Sequence, residues 1–197
     1  MAMMTHSSKV WHGVMLAGLL AGLAGCSSQS TRIHLTTYDE TGREQHHYAD
    51  FNRVAFLINP SGLLELGMRV EQPSKLDPTQ TITQLVHIKE VWKPVPGRTA
   101  VERTQINVQV RYGILTPPTG VRYDGAGFLY ARFKEGSTTI SGEIESGRLA
   151  PSYRMADAML PFGVARISGP FRAVKNPGEV IEIARQLDLL FSKQTER

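Results

Sequence analysis

The sequence has one cysteine in 197 residues, Cys26. That excludes an internal disulfide, a thiolate zinc centre and thiol catalysis from the chain that follows it. Dense Lys/Arg clusters with interleaved aromatics are missing too, and no recognition module is visible, so nucleic acid is set aside as a partner. No apolar run reaches the roughly 20 residues that a membrane-spanning helix needs; the longest, Gly13 to Gly25, has 13. There is no Gly-x-Ser-x-Gly elbow for a nucleophilic serine. What is present is ordinary for a globular protein: 41% hydrophobic and 20% charged residues, which argues against general disorder.

Charge is mildly positive, with 22 Lys and Arg against 18 Asp and Glu. Lys9 is the sole charged residue before Cys26, so 21 of those bases lie beyond it. Between Arg98 and Lys134 the bases are Arg98, Arg103, Arg111, Arg122, Arg132 and Lys134, opposed only by Glu102 and Asp124. Such a stretch either faces an anionic surface, such as lipid headgroups, or places its bases on outward strand positions with no partner.

The N-terminus combines one base, Lys9, with the apolar run from Gly13, and Ser-Ser-Gln-Ser follows at once. This is the build of a signal peptide. The run ends in Leu23-Ala24-Gly25-Cys26, which resembles the lipobox of bacterial lipoproteins at all four positions. The resemblance implies cleavage before Cys26, removal of residues 1–25 and lipidation of the Cys26 thiol and of the new amino terminus. Several acyl chains on one residue give stable anchoring. Ser27, where an Asp would favour retention in the inner membrane, points by the same resemblance to the outer membrane.

Residues 26–31 then form the lipidated cysteine and a short polar tether, and 32–197 form one β-rich domain. Asp39-Glu40-Thr41-Gly42, Asn59-Pro60-Ser61-Gly62 and Glu135-Gly136-Ser137 read as hairpin turns between alternating strands. Leu64, Leu66, Met68 and Val70 alternate with polar or small residues, and so do Ile106, Val108, Val110, Tyr112 and Ile114. Ala165, Ile167, Gly169, Phe171 and Ala173 share one face of a last strand. Ala150 to Leu160 has no clear period and reads as a loop or short helix. At the end the period becomes helical. Asn176 caps, Pro177 takes the first position, and Val180, Ile183, Leu187, Leu190 and Phe191 form an apolar stripe. The expected fold is mainly β: about eight or nine antiparallel strands in a sandwich or open barrel, with a C-terminal amphipathic helix over about 177–192. That helix is expected against the core face of the curved sheet. Without crossover helices, a parallel sheet is not expected.

The residues that could carry chemistry are few. If Tyr38 pairs with Arg43, His34 lies opposite His47, and two imidazoles could share a metal; no third ligand is placed by spacing, so no metal or other cofactor is assigned. Asp50, Asp124 and Glu143 are scattered acids, and no catalytic residue is assigned. Tyr123-Asp124-Gly125-Ala126-Gly127-Phe128 lacks the strand–loop–helix setting of a phosphate cradle, and a bulge or tight strand bend explains its glycines. Trp92, Tyr112, Tyr123, Phe128, Tyr130 and Phe133 read as core or rim aromatics. The Gly-x-Trp of lipocalins is missing, since Trp92 lies well into the chain behind Glu90. The expected function is that of a non-enzymatic envelope lipoprotein, structural or binding, held to a membrane through Cys26. The alternative is a carrier of a small apolar ligand between sheet and C-terminal helix, and the third reading is an envelope hydrolase. An envelope protein or a small apolar ligand is the expected partner besides the membrane. No ligand-binding residue is assigned.

Overall fold

The computed structural model describes residues 30–39, 41–75, 77–94, 106–132, 134, 136–155 and 157–192. The signal segment, Cys26, Arg98, Arg103 and Phe133 lie outside them. The described elements are β1 (Thr31–Tyr38), β2 (Glu44–Phe51), β3 (Arg53–Ile58), β4 (Leu64–Pro73), β5 (Thr81–Glu90), β6 (Val108–Thr116), β7 (Thr119–Arg132), β8 (Thr139–Arg154), β9 (Ala165–Lys175) and α1 (Pro177–Ser192). From β3 to β9 each strand pairs antiparallel with the next, and β9 returns to β3, which closes a seven-stranded barrel. The β1–β2 hairpin extends this barrel by pairing β1 to the first half of β9.

The fold is mainly β with one C-terminal helix, as the alternation predicts, and the choice between sandwich and open barrel is settled as a closed one. Closure needs a parallel contact that the sequence reading did not expect. Ala55 and Phe56 of β3 lie beside Val174 and Lys175 of β9 in parallel register. A parallel pair needs a long return path, and here all of β4 to β8 supplies it. The Asn59–Gly62 turn is where the sequence put it, while Glu40 and Glu135 of the other two predicted turns lie outside the described residues. At Asn59–Leu63 the Asn59 side chain accepts from Ser61 N and Leu63 N, both at 3.0 Å, and Gly62 supplies the positive φ of 78°. Ala150–Arg154 departs from expectation, because it continues β8 against Val121 to Asp124 of β7. Four of its five residues are exposed and Tyr153 is only partly buried, so no apolar alternation marks it as strand.

Alternate residues fill the interior. Ile33, Phe51, Phe56, Leu66, Met68, Val86, Ile88, Tyr123, Leu129, Ile144, Leu149 and Ile167 are each no more than 2% exposed, so the barrel is packed through. Tyr112 donates to Gln84 Oε1 at 2.5 Å, and Tyr123 donates to the Phe162 carbonyl at 2.9 Å. Phe162, in the loop after β8, stacks on Tyr123 at 4.4 Å between ring centroids. Burial raises both phenol pKa values, that of Tyr123 to about 12.

The helix does not face the core, contrary to the sequence expectation. Closing the barrel uses up the concave face, and α1 lies on the outer face instead. Its buried residues Ile183, Leu187 and Phe191 pack there with Leu85 and Leu115. Gly113 gives the helix its seat: a methyl there would stand 2.7 Å from Leu187 Cδ2. Asn176 caps as expected, its Oδ1 accepting from Glu179 N at 3.2 Å. Glu179 turns away from a capping box and takes Arg53 at 2.5 Å. Leu190 lies outside the described side chains.

Candidate functional surface

The two histidines singled out by the sequence lie on the first hairpin, His34 on β1 and His47 on β2. In the hairpin Tyr38 pairs with Glu44, not Arg43, so His34 faces Tyr48 while His47 faces Leu35. His34 and His47 therefore point to opposite faces, and the expected pair does not form. The cause lies in the turn. Asp39 Oδ1 accepts from Thr41 N at 2.8 Å, Thr41 Oγ1 at 2.7 Å and Arg43 N at 3.0 Å. These bonds hold the Asp39 carboxyl below its ordinary pKa, and they fold Arg43 into the turn, which moves the register by one residue. The outer face becomes a ladder. His34 Nε2 sits 3.0 Å from His46 Nδ1, the His34 ring stacks on Tyr48 at 4.8 Å, and Arg32 forks onto Asp50 at 2.7 and 3.2 Å. Among the described residues no group of three or more His, Cys, Asp or Glu converges that could hold a metal. His47 faces the barrel mouth, 3.3 Å from Thr37 Oγ1 and stacked on Phe162.

A second polar cluster lies beneath α1. His87 of β5 points outward under the helix with its side chain 4% exposed. Its Nε2 is 3.3 Å from Glu65 Oε2, and its Nδ1 is 2.9 Å from Arg111. Arg111 in turn pairs with Asp188 of α1. Because Arg111 has only N–H donors, Nδ1 must accept, and Nε2–H must donate to Glu65. The neutral imidazole fits both roles. Burial lowers the His87 pKa, and the Arg111 charge lowers it further against the opposing pull of Glu65 and Asp188. Unfolded His takes up its proton near pH 6.5, while the folded protein resists doing so, so acid favours unfolding. Stability is therefore expected to fall as pH drops below about 6.5, by at most about 1.4 kcal/mol per pH unit from this group. His87→Gln keeps one donor and one acceptor, and it should flatten that slope between about pH 6.5 and 5.5 in urea titrations. An unchanged slope would remove His87 as its source.

The third feature is basic and open. Arg132 of β7, Ser141 of β8 and Arg172 of β9 are direct cross-strand neighbours on the outer face. With Lys134, Ser137 and Thr139 they line a groove of about 490 Å³. Arg172 also borders a neighbouring groove of about 610 Å³ beside Arg53, Asn52 and Asn176. Arg132 is held over the Tyr130 ring at 5.5 Å. Thr31 Oγ1 accepts from Arg172 N at 3.3 Å, so the first strand begins beside this surface.

The basic stretch therefore divides. Arg111 is tied to Asp188 and His87, Arg122 to Asp124 at 3.1 Å, and Arg132 and Lys134 open onto the groove. Of the candidate acids, Asp50 is held by Arg32 below its ordinary pKa, Asp124 pairs with Arg122, and Glu143 stands exposed on β8. No two of them meet. The aromatics divide as core (Tyr112, Tyr123, Phe128) and rim (Trp92, Tyr130). Sequence reasoning missed His87 and Arg172. Leu85 and His87 alternate with interior Val86 and Ile88, which is the one sign that a second layer covers the outer face; nothing local to Arg172 marks it. Among the described residues no helix is long and apolar enough to cross a membrane. Comparison with protein-family models, with curated proteins and with solved structures returned no match.

Proposed function

We propose that this chain is a bacterial envelope lipoprotein, held on a membrane by lipid on Cys26, whose role is binding or structural and not enzymatic. The observation that carries the reading is the lipobox Leu23-Ala24-Gly25-Cys26 behind its apolar run. It is supported by the way the domain uses its polar groups. The buried histidine and its carboxylate serve as a latch under α1, the acids flagged by sequence are separated, and Arg132, Lys134 and Arg172 line one surface groove. By the Ser27 criterion the outer membrane is the proposed location.

A binding surface is favoured over a carrier for an apolar ligand. The space between sheet and helix, where such a ligand would lie, is occupied: Val180, Ile183 and Leu187 are fully buried there. A hydrolase is disfavoured by the position of His87, whose two ring nitrogens are already engaged beneath the helix.

The anchor is tested by metabolic labelling with a clickable fatty acid. Wild type should incorporate the label and run as the processed form, and Cys26→Ser should remain unlabelled and uncut. Equal labelling of the two would overturn the proposal.

A further inference from the structure

We propose that the groove of Arg132, Lys134 and Arg172 is the face that this domain lays on an anionic phospholipid surface. The inference rests on the lipid-anchor reading and adds to it an orientation and a partner. Position is the first argument. Five residue steps separate Cys26 from Thr31, a reach of at most about 18 Å when fully extended. Thr31 is hydrogen-bonded to the backbone of Arg172. An acyl-bearing Cys26 therefore cannot stand far from this groove, and the bilayer surface lies within about two Debye lengths of it.

Chemistry is the second argument. Arg132 and Arg172 flank Ser141 in one row, two strand spacings or about 10 Å apart. The Arg132 guanidinium, the Lys134 ammonium and the hydroxyls of Ser137, Thr139 and Ser141 offer phosphate oxygens donors of the right kind, with the Arg172 charge beside them. The acid nearest along β8 is Glu143, and Glu179 of the adjoining groove is taken by Arg53. Arg111 and Arg122, from the same basic stretch, are bound to acids of this domain. Arg132 and Lys134 have no carboxylate partner among the described residues. Arg132, Lys134 and Arg172 thus lie together on the side of the barrel where the tether begins.

The test uses the full chain carrying Cys26→Ser, so that acyl chains do not mask the weaker contact; the leader is common to every variant and cancels. Flotation with vesicles of phosphatidylglycerol and phosphatidylcholine should show stronger binding than with pure phosphatidylcholine vesicles, and added salt should remove the difference. Each basic residue at such a surface contributes about fivefold, so Arg132→Ser, Lys134→Ser and Arg172→Ser together should lower partitioning about a hundredfold. Arg148→Ser, Arg154→Ser and Arg166→Ser remove the same charge from exposed positions elsewhere on β8 and β9, and should change it less than about fivefold. Arg132→Lys with Arg172→Lys should bind like the parent, which separates loss of charge from loss of fold. Equal losses in the two serine triples, binding indifferent to phosphatidylglycerol, or displacement from the vesicles by millimolar inorganic phosphate would each overturn the proposal; the last would mark a free-phosphate site instead. Mass spectrometry of mature wild type reads acylation of Cys26 separately, so a failed anchor is distinguished from a failed surface.

Discussion

Leu187→Ala should lower the unfolding free energy by about 2–5 kcal/mol, seen as a large fall in denaturant midpoint at unchanged slope. Leu187 is fully buried between α1 and the outer barrel face, in contact range of Leu85, Leu115 and Phe191. Truncation removes its transfer energy and leaves a cavity that two regular elements cannot easily collapse. The position opposite Gly113 sharpens the test. A methyl at Gly113 would come within 2.7 Å of the Leu187 side chain, so adding Gly113→Ala to Leu187→Ala should cost less than the sum of the two single changes. Asp188 is the natural control, and the structure alters what to expect of it. By helical position alone it is a solvent-facing residue. In fact it holds Arg111, which holds His87. Since the Asp188 side chain is 60% exposed, its replacement by Ala should cost about 1 kcal/mol or less. If Leu187→Ala were as mild as Asp188→Ala, the helix would not be docked as described.

Gly125→Ala should be the more disruptive of two glycine replacements that look alike in sequence. A Cβ at Gly125 would lie 1.8 Å from the Arg148 carbonyl oxygen and 2.8 Å from its carbon. Both are backbone atoms of the paired strand, so no rotamer change relieves the clash, and β7 and β8 must part. The expected loss is about 3 kcal/mol or more, a fall of roughly 6–12 °C in Tm for a domain of this size. Gly163→Ala meets nothing within 4 Å and should stay within about 0.5 kcal/mol of wild type. Equal melting temperatures for the two variants would contradict the close approach. The same observation accounts for Gly125 and Gly127 without a phosphate: β7 and β8 coil tightly against each other, with a register shift between Phe128 and Leu129.

Much of the fold was legible because its signals are local. Alternation along β4, β6 and β9 reports which side chains are wet and which are dry, and that depends only on the pleat. Asn59-Pro60-Ser61-Gly62 and Asn176-Pro177 carry their own backbone preferences. Less of the site was legible. The His34–His47 pair was one residue out of register because the Asp39 carboxylate enlarges the turn, a choice made by three hydrogen bonds and not by hydrophobic pattern. Leu85 and His87 read as strand residues, but nothing beside them in the chain says what covers them.

By itself, then, the sequence determined the strand set, the Asn59–Gly62 turn, the C-terminal helix with its buried stripe, and the expectation of a lipid anchor at Cys26. Tertiary structure decided that the sheet closes through a two-residue parallel contact between β3 and β9, and that the helix lies outside the barrel. It also decided that Arg132 and Arg172, forty residues apart in sequence, share one groove beside Thr31. Local preferences act over a few residues, whereas closure, layer order and the gathering of like charges depend on which distant strands become neighbours.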